Sequence, residues 1–241
     1  MRKNFDFFKA FAFFTLFAVA FSIFGILLPS KTNKTSRPAD TNISPIIVID
    51  AGHGGEDGGA SAYGDITEKE LNLLISKDVC DILRFCGIKV IMTRTDDVLL
   101  YDKNSDYQGK KKSQDLAKRL EIANSLEGAV LVSIHMNAFP EAKYKGLQVY
   151  FSPHTESSYT LASAIQNNVK ATLSPDNERK VKKADKQIYL LDRFKGTGIL
   201  IECGFLSNPE EYSLLCTEEY RKQLSLVIAQ SITDYLANGG R

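Results

Sequence analysis

With three histidines, four cysteines and almost no surplus charge, this 241-residue chain has little material for several common functions. Lys and Arg number 30 against 29 Asp and Glu, a net charge of +1. Residues 1–30 hold Arg2, Lys3 and Lys9 against Asp6, so the remainder is close to neutral. A nucleic-acid binder carries a basic surplus or stripe. None exists on the scale of a domain, which argues against DNA and RNA as partners. Cys80, Cys86, Cys203 and Cys216 fit no zinc-finger spacing. Cys80 and Cys86 are six apart on an expected helix and face different ways, so the expectation is of buried thiols rather than a pair between them. There is no internal repeat. The glycine-rich stretch AGHGGEDGGA lacks both G-x-x-x-x-G-K-[ST] and G-x-G-x-x-G, so it is no recognisable phosphate cradle.

The longest uncharged run is Ala10 to Leu28, rich in Phe, Ala, Leu and Ile and preceded by Arg2, Lys3 and Lys9. As a helix it spans about 28 Å, close to the hydrocarbon thickness of a bilayer. A cleaved signal peptide has a shorter apolar region followed by a small-residue site. Ala18-Val-Ala20 offers such a site inside the run rather than after it, which favours an uncleaved anchor. Either way the body is expected outside the cytoplasm, secreted or held by that segment. The division expected is 1–30 as anchor or signal, 31–45 as a polar linker, and 46–241 as one folded domain. A body of roughly 200 residues suits one core better than two.

That body alternates strand and helix signals. Strands are expected at Ile46–Asp50, Lys89–Thr93, Ala129–His135, Gly146–Ser152, Gln187–Leu191 and Gly198–Cys203. Helices are expected at about Glu68–Cys86, where Thr67 and Glu70 form a capping box, and at Ser113–Leu126, Thr155–Leu173, Pro209–Leu215 and Glu218–Leu236. Asp50-Ala51-Gly52 reads as a turn, and Asp96 to Lys112 as a long polar loop. The pattern implies an α/β fold, a mostly parallel or mixed sheet with helices on both faces. Sites in such sheets gather at the carboxyl ends of the strands.

His53 follows the first strand among glycines, and His135 closes the third. A lone histidine is more often a hydrogen-bonded surface residue than a ligand, and His154, in a loop after Pro153, reads that way. Two of three at strand ends shift the balance toward a metal. Glu68, in the first turn of its helix, is explained equally by the helix dipole. Glu202 is harder to explain so. It interrupts the apolar Gly198-Ile199-Leu200-Ile201-Glu202-Cys203, where an unpaired carboxylate is costly, and implies a partner or metal nearby. Arg94 could form a structural ion pair or help position substrate, with structure the favoured reading, and Arg119 reads likewise; Lys110-Lys111-Lys112 reads as a solvated loop.

The motifs Asp50-Ala51-Gly52-His53-Gly54-Gly55, Thr67-Glu68-Lys69 with Leu71-Asn72-Leu73, Ser133-Ile134-His135-Met136-Asn137-Ala138 and Ile201-Glu202-Cys203-Gly204-Phe205-Leu206-Ser207-Asn208 occur in one order. In that order and spacing, from about Ile46 to Leu236, the chain resembles the zinc-dependent type 3 family of N-acetylmuramoyl-L-alanine amidases. Thr93-Arg94-Thr95-Asp96 and Leu116 through Arg119 to Ala123-Asn124 fit its secondary motifs. The resemblance implies a six-stranded sheet, His53, Glu68 and His135 as Zn²⁺ ligands, and Glu202 as the catalytic glutamate. It implies cleavage between muramic acid and L-alanine in peptidoglycan. No wall-binding repeat accompanies the domain, and Thr197-Gly198 stands where many relatives have a proline. The small domain behind an apolar segment is similar to sporulation amidases that strip peptides from spore cortex before germination, on the way to muramic-δ-lactam. An exported protein partner is left open. The stretch Arg179, Lys180, Lys182, Lys183, Lys186 reads as a solvated face, although it could meet stem-peptide carboxylates. The competing readings are another zinc hydrolase of the wall, a peptidase or deacetylase, and a silent wall-binding protein on the same fold.

Overall fold

The β-branched run Ile47–Ala51 forms β1, buried along its whole length. In the computed structural model, which describes residues 45–60, 64, 66–104 and 109–240, β1 lies between β2 (Val90–Met92) and β3 (Val130–Asn137), parallel to both. β6 (Thr197–Phe205) continues the parallel set beside β3. β4 (Gln148–Phe151) joins β6 antiparallel, and β5 (Lys182–Lys183) closes that edge parallel to β4. The sheet order is β2-β1-β3-β6-β4-β5. The described residues fall within one compact unit, residues 43–241. The apolar run Ala10–Leu28 lies outside them, and no helix among them is long and apolar enough to cross a membrane.

Alternation along each strand divides the side chains between two cores. Ile47, Ile49, Val130, Val132, Ile134, Ile199 and Ile201 belong to one, with α1 (Glu68–Phe85), α3 (Glu156–Thr172) and α6 (Glu218–Ala237) supplying Leu71, Ile75, Val79, Leu161, Ile165, Leu224 and Ile228. Val48, Leu131 and Leu200 belong to the other, packed under α2 (Lys111–Asn124) and the short α4 (Tyr189–Arg193) through Ala123, Leu190 and Leu191. The helix α5 (Pro209–Cys216) adds Leu215 to the first core. The fold is therefore α/β with helices on both faces of a six-stranded mixed sheet, as the alternation implied.

The capping box forms: Glu70 Oε2 accepts from the Thr67 amide at 2.8 Å and so fixes the first turn of α1, which carries Glu68. Two expectations fail. Gln187–Leu191 is no strand; its end enters α4, where Leu190 and Leu191 cap the smaller core. A short apolar run has no periodicity to separate the two states, and packing decides. The sixth strand is instead Lys182–Lys183, two exposed lysines at the sheet edge, where charge deters further pairing. The cysteines are all free; Cys80 and Cys203 are buried, but Cys86 is exposed and Cys216 half-buried.

Candidate metal centre at the carboxyl edge of the sheet

Asp50 and Ala51 are the last residues of β1 rather than a turn, and this sets the floor of the site. Asp50 shares its face with Val48, and is fully buried. Arg119 on α2, also buried, donates to Asp50 Oδ1 at 2.8 Å and to Asp115 Oδ2 at 2.7 Å. Ser133 and Thr93 complete the Asp50 carboxylate at 2.6 and 2.7 Å. Burial opposes the charge on Asp50, but Arg119 and Ser133 outweigh it and hold the carboxyl at about 2. The same guanidinium donates to the carbonyls of Ala51 and His53 at 2.6 and 2.7 Å. Arg94 grips the carbonyls of Ala51, Gly52 and Lys69 at 2.8, 2.9 and 2.8 Å. Both arginines brace the loop, Arg119 through ion pairs and carbonyls and Arg94 through carbonyls rather than the ion pair expected.

This grip holds His53 at φ 62°, the one non-glycine residue with positive φ among those described. Left-handed backbone at a β-carbon residue is strained and persists only where surroundings enforce it. Asp57 Oδ2 lies 2.9 Å from His53 Nδ1, and the other ring nitrogen, Nε2, faces Glu68. Lys112 pairs with Asp57 at 3.2 Å, and Lys111 with Glu56 at 2.9 Å. The expected solvated lysine loop is thus partly the start of α2, tied to the glycine-rich loop.

Glu68 Oε1 lies 3.2 Å from His53 Nε2 and 3.1 Å from His135 Nδ1. One ligand atom from each of the three residues lies within 4.8 Å of the others, so they could hold a metal ion. The second oxygen of Glu68 accepts from the Ala60 amide at 2.6 Å, and Met136 N donates to the first at 3.1 Å. Burial disfavours the Glu68 carboxylate, yet His135 and His53 hold it far below the usual range. A buried anion facing two imidazoles, with no Lys or Arg paired to it among the described residues, fits a cation between them. Two nitrogens and one carboxylate oxygen are a donor set that zinc accepts. The backbone makes room: a Cβ at Gly52 would collide with the His135 ring, and one at Gly59 with the Glu68 side chain.

Glu202 pairs with His135 across β3 and β6, and with Gln148 across β6 and β4. Its Oε2 is buried without a hydrogen-bond partner. Burial pushes its carboxyl up to about 7, His135 pulling it down and Glu68 pushing it further up. Glu202, His53 and His135 line one cavity of about 250 Å³, with Asp57, Lys112 and Tyr189 among its walls. His154 is exposed and lies elsewhere, near Lys195 and the Asp192 carbonyl. Arg179, expected on a solvated face, is half-buried; it donates to Gln148 Oε1 and lies 4.9 Å from the Phe205 ring centre.

Asp50, Asp57 and Gln148 were not singled out from the sequence. Asp50 carried the same signal as Glu202, a carboxylate at the end of an apolar strand, but reads as a turn residue before glycine. Asp57 follows His53 by four in a polar loop, where nothing distinguishes it.

A model of the N-acetylmuramoyl-L-alanine amidase family matches residues 47–234. Among curated relatives, the germination-specific N-acetylmuramoyl-L-alanine amidase of Bacillus subtilis is 35% identical over 211 residues, 87% of this chain and 88% of its own. The solved CwlD amidase of Clostridioides difficile, in complex with the GerS lipoprotein, is 38% identical with a TM-score of 0.74, covering 80% of this chain and 98% of its own. The amidase AmiC2 of Nostoc punctiforme is 32% identical with a TM-score of 0.68, covering 80% of this chain and 98% of its own.

Proposed function

This chain belongs to the N-acetylmuramoyl-L-alanine amidase family, and we propose that it does its peptidoglycan chemistry with a zinc ion held by His53, Glu68 and His135 and with Glu202 as the proton-transfer group. The observation that carries the reading is the single row His135–Glu202, with the buried Glu68 carboxylate 3.1 Å from the first and an unpartnered buried oxygen on the second. When bound, zinc would polarise the scissile carbonyl and make water a stronger acid.

Glu202 takes a proton from the attacking water as its oxygen bonds to the lactyl carbonyl carbon. It returns a proton to the L-alanine nitrogen as the C–N bond breaks. The products are a lactyl carboxylate on N-acetylmuramic acid and a stem peptide with a free amine. Asp57 keeps the proton on His53 Nδ1, so that Nε2 remains a ligand. Arg119 and Arg94 hold the strained loop that presents His53.

The relative's germination-specific name supports a role in spore cortex, where removal of the peptide prepares muramic acid for muramic-δ-lactam formation. The substrate lies outside the membrane, in agreement with an exported catalytic domain, 46–241, behind an anchor at 1–30 and a linker at 31–45. An exported protein partner has a precedent in the Clostridioides difficile amidase solved with GerS. The test is mass spectrometry of peptidoglycan digested by the zinc-loaded protein. Free stem peptides with an L-alanine amino terminus are expected; new amino sugars or new peptide ends would favour a deacetylase or a peptidase.

A further inference from the structure

Three residues past Glu202 on β6, Phe205 starts a chain of three aromatic rings that runs out to the surface. Phe205, buried at the end of β6, stacks with Tyr144 at 6.4 Å between ring centres and 28° between planes. Tyr144 meets Phe139 edge to face at 4.8 Å. Phe139 is 47% exposed and Tyr144 37%. Single exposed apolar residues need no explanation, but two touching aromatics in a chain that ends on the strand carrying Glu202 form a patch.

The loop that carries them, residues 138–147, is pinned at both ends. Phe139 N donates to Ser207 Oγ at 3.0 Å, and Asn208 Nδ2 to the Ala142 carbonyl at 2.7 Å. Gly146 N donates to Glu211 Oε1 at 2.9 Å, while Glu211 Oε2 accepts from Phe205 N at 2.8 Å. Asn177 Nδ2 donates to the Leu147 carbonyl at 2.8 Å. Exposed rings on a loop held this firmly are pre-organised, so ordering them on binding costs little. Cations already cover two of the rings: Lys143 lies 5.3 Å from the centre of Tyr144, and Arg179 lies 4.9 Å from that of Phe205. Phe139 carries none among the described residues and is the open ring.

We propose that Phe139, braced by Tyr144, is a stacking shelf for a pyranose ring of the glycan strand. This rests on the reading of Glu202 as the group at the reacting bond. The amide it faces hangs by a lactyl arm from a sugar, so a sugar ring must lie close beside Glu202. The aromatic chain begins three residues along β6 at Phe205, whose covering Arg179 also bonds Gln148, the cross-strand neighbour of Glu202. A pyranose with equatorial substituents presents C–H groups on its faces, and these weakly positive hydrogens match the negative face of an aromatic ring. An acidic stem peptide would instead seek cations, and an open phenyl face gives its carboxylates nothing.

The test uses full-length, zinc-loaded protein in detergent, with two probes titrated by calorimetry: glycan strands stripped of peptide, and free stem peptide. Phe139→Ser and Tyr144→Ser should each weaken glycan binding by about fivefold to tenfold, with stem-peptide affinity, zinc content and Tm unchanged. On intact peptidoglycan the loss should fall on KM rather than kcat. Phe85→Ser, an exposed ring at the opposite end of α1 from Glu68, is the control and should change nothing. Unchanged glycan affinity in both shelf variants overturns the proposal, as does a loss confined to stem peptide or a wild-type protein that binds no glycan. Binding is read without turnover, so a failure of the shelf is distinguishable from a failure of the Glu202 assignment.

Discussion

His135 and Glu202 are direct partners across the parallel pairing of β3 and β6, so one row of the sheet carries a candidate metal ligand and the candidate proton carrier side by side. The row lies one alternation beyond Asp50 and Ser133, which are partners across β1 and β3. Apolar packing lower on the same face, through Val48, Leu131 and Leu200, therefore fixes the spacing of the polar groups above it. Backbone register thus sets which of these polar groups stand side by side.

Asp57 should matter to the metal without touching it. It lies 2.9 Å from His53 Nδ1, and on the proposed zinc reading it would hold the proton there and leave Nε2 to the metal. Asp57→Asn is expected to weaken zinc binding by about 10–100-fold, with recovery of activity in excess zinc. Competition titration against a chelating dye checks this; an unchanged affinity would show that the loop orients His53 by backbone alone.

Arg119 is the strut of the site, buried against Asp50 and Asp115 and bonded to the carbonyls of Ala51 and His53. Removing it leaves two buried carboxylates uncompensated. Arg119→Met should destabilise the fold by about 3–5 kcal/mol, read as a lower urea midpoint with little change in m. A loss below about 1 kcal/mol would show that water replaces the guanidinium.

How much of this was legible in the sequence depended on the kind of cost each residue carried. Glu202 stood out because a carboxylate within GILIEC is expensive unless partnered, and His53 and His135 because strands end at them. Glu68 is a sound first-turn residue on its own, and only the family motif marked it. Asp50 lies as deep as any of these, yet the glycine two residues on made it look like part of a turn. Arg119 finds its partner 69 residues away, a distance no local pattern spans. Lys182–Lys183 has no apolar face to announce a strand, and at a sheet edge it needs none. Tyr189–Arg193 is helical because Leu190 and Leu191 fill the smaller core, a tertiary demand that overrides local preference.

Acid should weaken the Asp50 contribution in a defined window. Its carboxyl sits at about 2 in the fold, against about 4 in an unfolded chain. A depressed carboxyl stabilises fully above the unfolded value and loses that contribution as pH falls through the folded one. The stability difference between wild type and Asp50→Asn should therefore be flat from pH 7 to about 5 and shrink by about 2 kcal/mol toward pH 2. Urea midpoints at a series of pH values measure it. A difference that grows on acidification would contradict the pairing with Arg119.

The two glutamates should separate by what zinc does for each variant. Glu202→Gln is nearly isosteric and keeps a polar group on β6, but it can no longer accept and return a proton. Zinc should stay bound while turnover on peptidoglycan falls by about 10²–10⁴-fold, and added zinc should restore nothing. Glu68→Gln removes the anion between the two imidazoles, so zinc content itself should fall, and activity should recover in part when zinc is supplied in excess. Glu68 also accepts from the amides of Ala60 and Met136, so the glutamine needs a Tm close to wild type before its zinc content is read. Both variants are measured side by side for bound zinc and for released stem peptide. Near-normal cleavage by Glu202→Gln would remove the proton carrier from the mechanism even with the zinc ligands intact.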